Sequence, residues 1–185
     1  SKIAASLFYQ SLINVVNNGN LSLKKNPKIL LPGMGYLAPA ELEAINAVFD
    51  PGEIHGFDID EDAIKFSKAS NPSIAANLYQ ADGIAEKVWQ QNSKEKFDAV
   101  ILLHPLFCEL VSGGKIINSI GKAMLGNIRT FLPGTELVIF TKSVSESRAI
   151  VEQLKATGYE NIRTQENYKF AFPASSYGES LKRAS

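Results

Sequence analysis

The sequence predicts an α/β chain built on a largely parallel sheet. Three observations predict it. The apolar runs at 29–31 and 99–103 are continuous rather than alternating, as in strands covered on both faces. Segments with helical spacing separate these runs, and parallel neighbours need such crossovers. Turn residues such as Pro32-Gly33, Asp50-Pro51-Gly52 and Pro133-Gly134 punctuate the boundaries. At 185 residues, 45% of them hydrophobic, the chain is the size of one domain with a core that needs no disulfide or metal staple.

The elements follow in order. Ile3, Leu7, Leu12, Val15 and Val16 fall near helical spacing and predict an amphipathic helix, stopped by Asn17-Asn18-Gly19-Asn20. Residues 21–27 read as a linker. The expected organisation is therefore a helix and linker over 1–27 and one domain over 28–185. KILLP (28–32) is a buried strand. Pro39 opens a helix continued by AELEAINAVF. EIHGFDI (53–59) is the second strand and 60–69 the next helix, ended by Asn71-Pro72. IAANLYQA (74–81) is a third strand, GIAEKVWQQ (83–91) a helix, and FDAVILLH (97–104) the fourth strand. Residues 113–131 read as one long helix containing Gly121 and Gly126. ELVIFTKS (136–143) is the fifth strand, and 145–158 a helix with Gly158 at its C-cap. YENIRTQEN (159–167) and YKFAFPAS (168–175) read as two closing strands.

Composition excludes several function classes. Lys+Arg and Asp+Glu balance at 19 each, which argues against nucleic acid or a membrane held by bulk charge. Cys108 is the single cysteine, so there is no intrachain disulfide framework or cysteine zinc site, and a reducing, cytoplasmic compartment is expected. His55 and His104 are too few for a histidine-rich metal centre, and no metal is expected. No stretch reaches the roughly 20 apolar residues of a membrane span. The opening segment, interrupted by Ser6, Tyr9, Gln10, Ser11 and Asn14, lacks a signal-peptide core.

Ligands on parallel sheets bind beyond the carboxyl ends of the strands, near a topological switch point. After the first strand stands Pro32-Gly33-Met34-Gly35-Tyr36-Leu37-Ala38-Pro39. Glycines allow tight turns and close approach of a ligand, and the following helix N-terminus presents unpaired N–H groups. Asp58, ending the second strand, follows Gly35 by about 20 residues. A carboxylate has acceptors only, so Asp58 can take both ribose hydroxyls of a nucleoside lying across the glycine turn. Asp60 reads as the N-cap of the next helix. Asp82, in Gln80-Ala81-Asp82-Gly83, suits either the exocyclic amine of an adenine or an N-cap. His104 ends the fourth strand and reads either as a general base or as a hydrogen-bonded structural histidine. Cys108 reads as a small buried hydrophobe, and Asp98, at the strand's start, as structural.

Gly33-x-Gly35-x-x-Ala38 formally matches the dinucleotide fingerprint. The chain is short for a nicotinamide domain plus a substrate domain, and no Tyr is followed four residues later by the Lys of a short-chain reductase. A G-x-x-x-x-G-K-[ST] phosphate loop is also missing from the sequence.

Taken together, the glycine turn, the acid ending strand two, Ala81-Asp82-Gly83 and the FDAVILL strand resemble the class I S-adenosylmethionine-dependent methyltransferases, in that family's order. The resemblance covers roughly residues 28–175, the segment LKATGYENIRTQENYKFAFPAS included. It implies a Rossmann-like, doubly wound, mostly parallel seven-stranded sheet with helices on both faces and an antiparallel strand near the C-terminus. It implies S-adenosylmethionine as cofactor and S-adenosylhomocysteine as product. By position, Gly33, Met34 and Gly35 would lie against the methionine part, Asp58 on the ribose, Ile59 against the adenine, and Asp82 and Gly83 along its edge. His104 falls where the family's backbone faces cofactor amine and acceptor; it is the first candidate base and Glu109 the second. The acceptor is a small molecule or a protein, and a homodimer stays open.

The chain departs from the family pattern twice. Leu31 stands where an acid is usual, and Leu37 where a third glycine is usual. Losing a charge-assisted contact costs about 1.5–3 kcal/mol. That departure keeps open a non-catalytic binding module on the same fold. Gly33-x-Gly35-x-Leu37 with Asp58-Ile59-Asp60 is also similar to the nicotianamine synthases, which transfer the aminobutanoyl arm of the same cofactor.

Overall fold

The computed structural model describes residues 2–103 and 105–165. Five strands, β1 (Lys28–Pro32), β2 (Glu53–Asp58), β3 (Ala76–Gln80), β4 (Ala99–Leu103) and β7 (Glu136–Phe140), form one parallel sheet in the order β3-β2-β1-β4-β7. All four pairings are parallel, for example Leu31 with Gly56, and Ile101 with Val138. The chain steps outward from β1 to β3, then returns to the other side of β1 as β4. The switch point therefore lies between β1 and β4.

The crossovers supply the helices: α1 (Lys2–Asn17), α2 (Ala38–Phe49), α3 (Glu61–Ser70), α4 (Glu86–Asn92), α5 (Ser119–Phe131) and α6 (Val144–Ala156). Strand alternation sorts the core into two layers. Ile29 and Leu31 of β1, with Ile101 and Leu103 of β4, pack against Phe8 and Leu12 of α1, Leu42 and Ile45 of α2, and Ile64 of α3. Leu30, Val100 and Leu102 pack on the opposite face against Trp89 of α4, Leu125 and Ile128 of α5, and Ile150 and Leu154 of α6. The fold is thus Rossmann-like, with helices on both faces.

Local signals place most helix ends as expected. Asp60 caps α3, its Oδ1 accepting from the Asp62 and Ala63 amides at 2.9 and 3.4 Å. Gly158, at φ 86°, follows the end of α6, and the amide of Tyr159 donates back to Leu154. The buried stripe of α1 runs through Phe8, Ser11 and Leu12, whereas Leu7 is only half-buried.

Two expectations are corrected. The single helix over 113–131 is instead a β-hairpin, β5 (Cys108–Val111) and β6 (Gly114–Ile117), followed by α5. Gly113 and Gly114 sit at φ 109° and 138°, backbone that glycine adopts freely and that reverses the chain. Gly121 interrupts no helix; a Cβ there would meet Ile117 Cγ1 and Phe107 Cβ, both at 2.8 Å, so it admits the hairpin against α5. Second, the sheet has five strands among the described residues rather than seven. Residues 159–165 form no strand, and the antiparallel pairing observed is the separate β5–β6 pair. The closing strand expected at 168–175 lies outside the described residues. Among the described residues no helix is long and apolar enough to cross a membrane.

Candidate functional site

The sheet order brings the ends of β1, β2 and β3 side by side, and backbone hydrogen bonds stitch their loops together. The amides of Gly33 and Met34 donate to the Phe57 carbonyl at 2.8 and 3.4 Å, and the Ala81 amide donates to the Asp58 carbonyl at 2.9 Å. Gly33 and Gly35 hold φ of 65° and 58°, a region that a Cβ disfavours. One 3-10 turn, Gly35–Leu37, then runs directly into α2. Nothing lies within 4 Å of the position a Gly35 Cβ would take, so the turn's outer side is open.

Asp58 is 9% exposed and ends β2. The pleat places it on the same face as Ile54, the face covered by α1 to α3. Its Oδ2 accepts from the Gly35 amide and its Oδ1 from the Asp60 amide, both at 2.8 Å. Each carboxylate oxygen keeps acceptor capacity beyond these bonds. Tyr36 stands at the lip, 56% exposed, with its ring 6.0 Å from that of Phe66. Desolvation and then the neighbouring Asp60 carboxylate push its hydroxyl pKa up.

Glu41, in the first turn of α2, was not singled out by the motif reading. It is 2% exposed, and its Oε1 has no hydrogen-bond partner. Burial first, and the Asp58 charge second, push its carboxyl well above the usual carboxylate range. A signal for it exists in the sequence. Ala38, Glu41 and Ile45 share one helical face, so the acid interrupts an apolar stripe.

At the end of β3, Asp82 is not a helix cap. Its Oδ1 accepts from the Ile84 amide at 3.0 Å in a local turn, and α4 starts later, with Ala85 as its N-cap. The Gly83 carbonyl accepts from Trp89 Nε1 at 2.8 Å. A Cβ on Gly83 would lie 3.1 Å from both Sδ and Cε of Met124, and one on Gly33 would lie 4.0 Å from that Cε. Met124 of α5 thus floors the space between the two glycine loops. Ile59 and Ile84 are exposed at the rim, 66% and 47%. The Met34 side chain is buried against Gly56, so what it offers the turn is backbone.

The structure therefore gathers Gly33, Met34, Gly35, Asp58, Ile59, Asp82 and Gly83 along one sheet edge. His104 lies outside the described residues. Glu109 is exposed on β5, opposite Ile116. The hairpin that carries it is tied to α6 through Lys115 Nζ to Glu146 Oε1 at 2.5 Å, while Glu146 Oε2 accepts from the Lys142 amide. Burial, then the Glu146 charge, push the Cys108 thiol up, which disfavours the reactive thiolate. An open groove of about 430 Å³ between α1 and α2 is lined by Val16, Leu21, Leu23, Val48 and Phe49. It flanks the C-terminal end of α2, the end away from the glycine turn, and has no part in this site. Among the described residues no group of three or more His, Cys, Asp or Glu is placed to hold a metal ion.

No protein-family model matches the chain, and no curated protein matches it. Solved structures do. The chain resembles precorrin-6y C5,15-methyltransferase of Geobacter metallireducens, with 17% identity and a TM-score of 0.53 over 78% of this chain and 68% of that one. It also resembles an amino pentose methyltransferase of Micromonospora echinaspora, solved with SAM bound: 18% identity, TM-score 0.52, 72% and 50% covered. A [4+2]-cyclase matches similarly, with 16% identity, TM-score 0.53, and 74% and 53% covered. The chain thus spans about half to two thirds of the length of these structures. Likeness at such identities establishes architecture: the chain shares the Rossmann-like fold of these two methyltransferases and of the cyclase.

Proposed function

We propose that the chain binds S-adenosylmethionine across the carboxyl ends of β1, β2 and β3 and is a methyltransferase. One observation carries this reading: the buried Asp58 carboxylate, at the end of the strand next to β1, is held by the Gly35 amide of a positive-φ glycine turn. The cyclase among the structural neighbours is a reminder that fold alone does not assign activity.

The residues present fit an adenosyl group. Asp58 retains lone pairs for ribose hydroxyls, and the open side of Gly35 admits close approach of a ligand. Exposed Ile59 and Ile84 offer apolar surface to the faces of a base, with Asp82 at its edge. When bound, the cofactor supplies a methyl group activated by its sulfonium, so the protein's task is chiefly to position the acceptor. His104, directly after β4, is the candidate base for an acceptor that must lose a proton, and Glu109 the second. The acceptor is a small molecule or a protein side chain.

A second reading, a binding module without turnover, draws support from Leu31, which lies in the apolar core at 1% exposure. Calorimetric titration with S-adenosylmethionine, S-adenosylhomocysteine and NAD, on wild type and Asp58→Ala, tests both. Micromolar binding of the sulfur compounds, lost in Asp58→Ala, supports the adenosyl site. NAD binding alone overturns it. Products then separate the activities: S-adenosylhomocysteine marks methyl transfer, methylthioadenosine marks aminobutanoyl transfer, and neither marks the binding module.

A further inference from the structure

We propose that Met124 of α5 is a positioning residue of the adenosyl site: packed between Gly33 and Gly83, it fixes the gap between the glycine turn and the loop after β3 that a bound nucleoside spans. The inference rests on the S-adenosylmethionine reading above. It adds to that reading a residue that acts through its neighbours rather than by touching the ligand.

The backbone at Gly83 does not take the left-handed conformation that explains Gly33 and Gly35, so conformation does not require glycine there. Space does. A Cβ on Gly83 would lie 3.1 Å from both Sδ and Cε of Met124, tighter than ordinary packing allows. The room beside Gly83 is already filled by Met124. The same Cε lies 4.0 Å from the Cβ position of Gly33, an ordinary van der Waals contact. One methyl group therefore stands between the turn after β1 and the loop after β3.

The loop after β3 is gripped from several sides. Trp89 Nε1 of α4 donates to the Gly83 carbonyl at 2.8 Å. Asn127 Nδ2, one helical turn beyond Met124 on α5, donates to the Ile84 carbonyl at 3.3 Å. The Ala81 amide donates to the Asp58 carbonyl at 2.9 Å. Among these groups Met124 is the one that also meets the glycine turn. It is 5% exposed and presents almost no surface to a ligand, so what it sets is the spacing of the two loops. Interiors are close-packed, and a change at Met124 passes to both backbones. A binding constellation carried on loops needs such packing to hold its geometry. A methionine that only filled the core would be linked to stability and not to affinity.

The test is titration of the full chain with S-adenosylhomocysteine, read by heat and by the emission of Trp89, the chain's single tryptophan. The proteins are wild type, Met124→Leu, Met124→Ala, Gly83→Ala and Gly83→Ala/Met124→Ala, with urea unfolding of each in parallel. Met124→Ala and Gly83→Ala should each bind about tenfold more weakly, equivalent to about 1.4 kcal/mol. The double variant should bind more tightly than Gly83→Ala, because the new Cβ then has room. Met124→Leu nearly conserves volume and folds, but lacks the methyl between the glycines; its affinity should fall between wild type and Met124→Ala. Lower stability with wild-type affinity in Met124→Ala overturns the proposal, since Met124 is then core filling. Additive losses in the double variant overturn it too. Should Met124→Ala not fold, wild-type affinity in both Met124→Leu and Gly83→Ala overturns it. If wild type does not bind S-adenosylhomocysteine, the adenosyl reading falls and the positioning role with it.

Discussion

The Oδ2 of Asp58 accepts a hydrogen bond from the Gly35 amide at 2.8 Å, so the acid at the end of β2 holds the glycine turn that follows β1. The two residues are about 20 positions apart in sequence and adjacent only because β1 and β2 pair in parallel, Pro32 opposite Phe57. The same carboxylate accepts from the Asp60 amide, which orders the start of α3. Asp58 is a structural clamp as well as the candidate ribose acceptor.

Asp58→Ala should therefore destabilise the fold in addition to any effect on ligands. It leaves the Gly35 and Asp60 amides without their acceptor, and loss of a charge-assisted bond costs about 1.5–3 kcal/mol. Asp58→Asn keeps one carbonyl oxygen and should lose less. Urea unfolding of the three proteins checks the order wild type, Asn, Ala.

Glu41→Gln should stabilise the ligand-free protein above pH 5 by an amount that grows with pH. The folded protein holds the Glu41 carboxyl well above its ordinary value of 4.5, by burial and then by Asp58. Between the two values the unfolded chain has lost a proton that the folded chain keeps. Stability falls as pH rises through that window, and removing the acid removes the slope. The gain should be present at pH 7 and vanish near pH 4. Unfolding curves at both pH values measure it, and a pH-independent difference would contradict the assignment.

Gly56→Ala should displace Met34. The new Cβ would lie 2.2 Å from Met34 Sδ and 3.1 Å from Leu78 Cδ2, an overpacking worth about 1–3 kcal/mol. Shortening Met34 in the same chain should relieve the strain, so Gly56→Ala/Met34→Ala should cost less than the sum of the single changes. A double-mutant cycle in urea gives the coupling, and strict additivity would show that the two positions do not meet.

Gly121→Ala should lower the melting temperature, although alanine is favoured over glycine by about 1 kcal/mol in an exposed helix interior. The added carbon would sit 2.8 Å from Ile117 Cγ1 and Phe107 Cβ, where the hairpin closes on α5. Gly126→Ala, in the same helix with nothing within 4 Å, should raise it. Thermal scans of both variants separate close approach from intrinsic propensity.

The layered α/β fold was legible in the sequence because it rests on local pattern. Continuous apolar runs made β1 and β4 readable, and Asp60 and Gly158 announced helix ends by backbone chemistry that acts within a few residues. The glycine turn and Asp58 were legible as candidates because strand ends on a parallel sheet converge. The hairpin at 108–117 was not, since two glycines beside Ile116 and Ile117 suit either a turn or a helix start until the backbone's φ is known. Of the two readings open for Asp82, the N-cap fails because the side chain closes a local turn on the Ile84 amide and α4 begins later. Glu41 was out of reach of motif reading, because what distinguishes it is the absence of a partner. That property belongs to the packed molecule: only when α2 lies on the sheet do burial and the Asp58 charge turn an ordinary helix glutamate into a buried acid whose Oε1 has no partner.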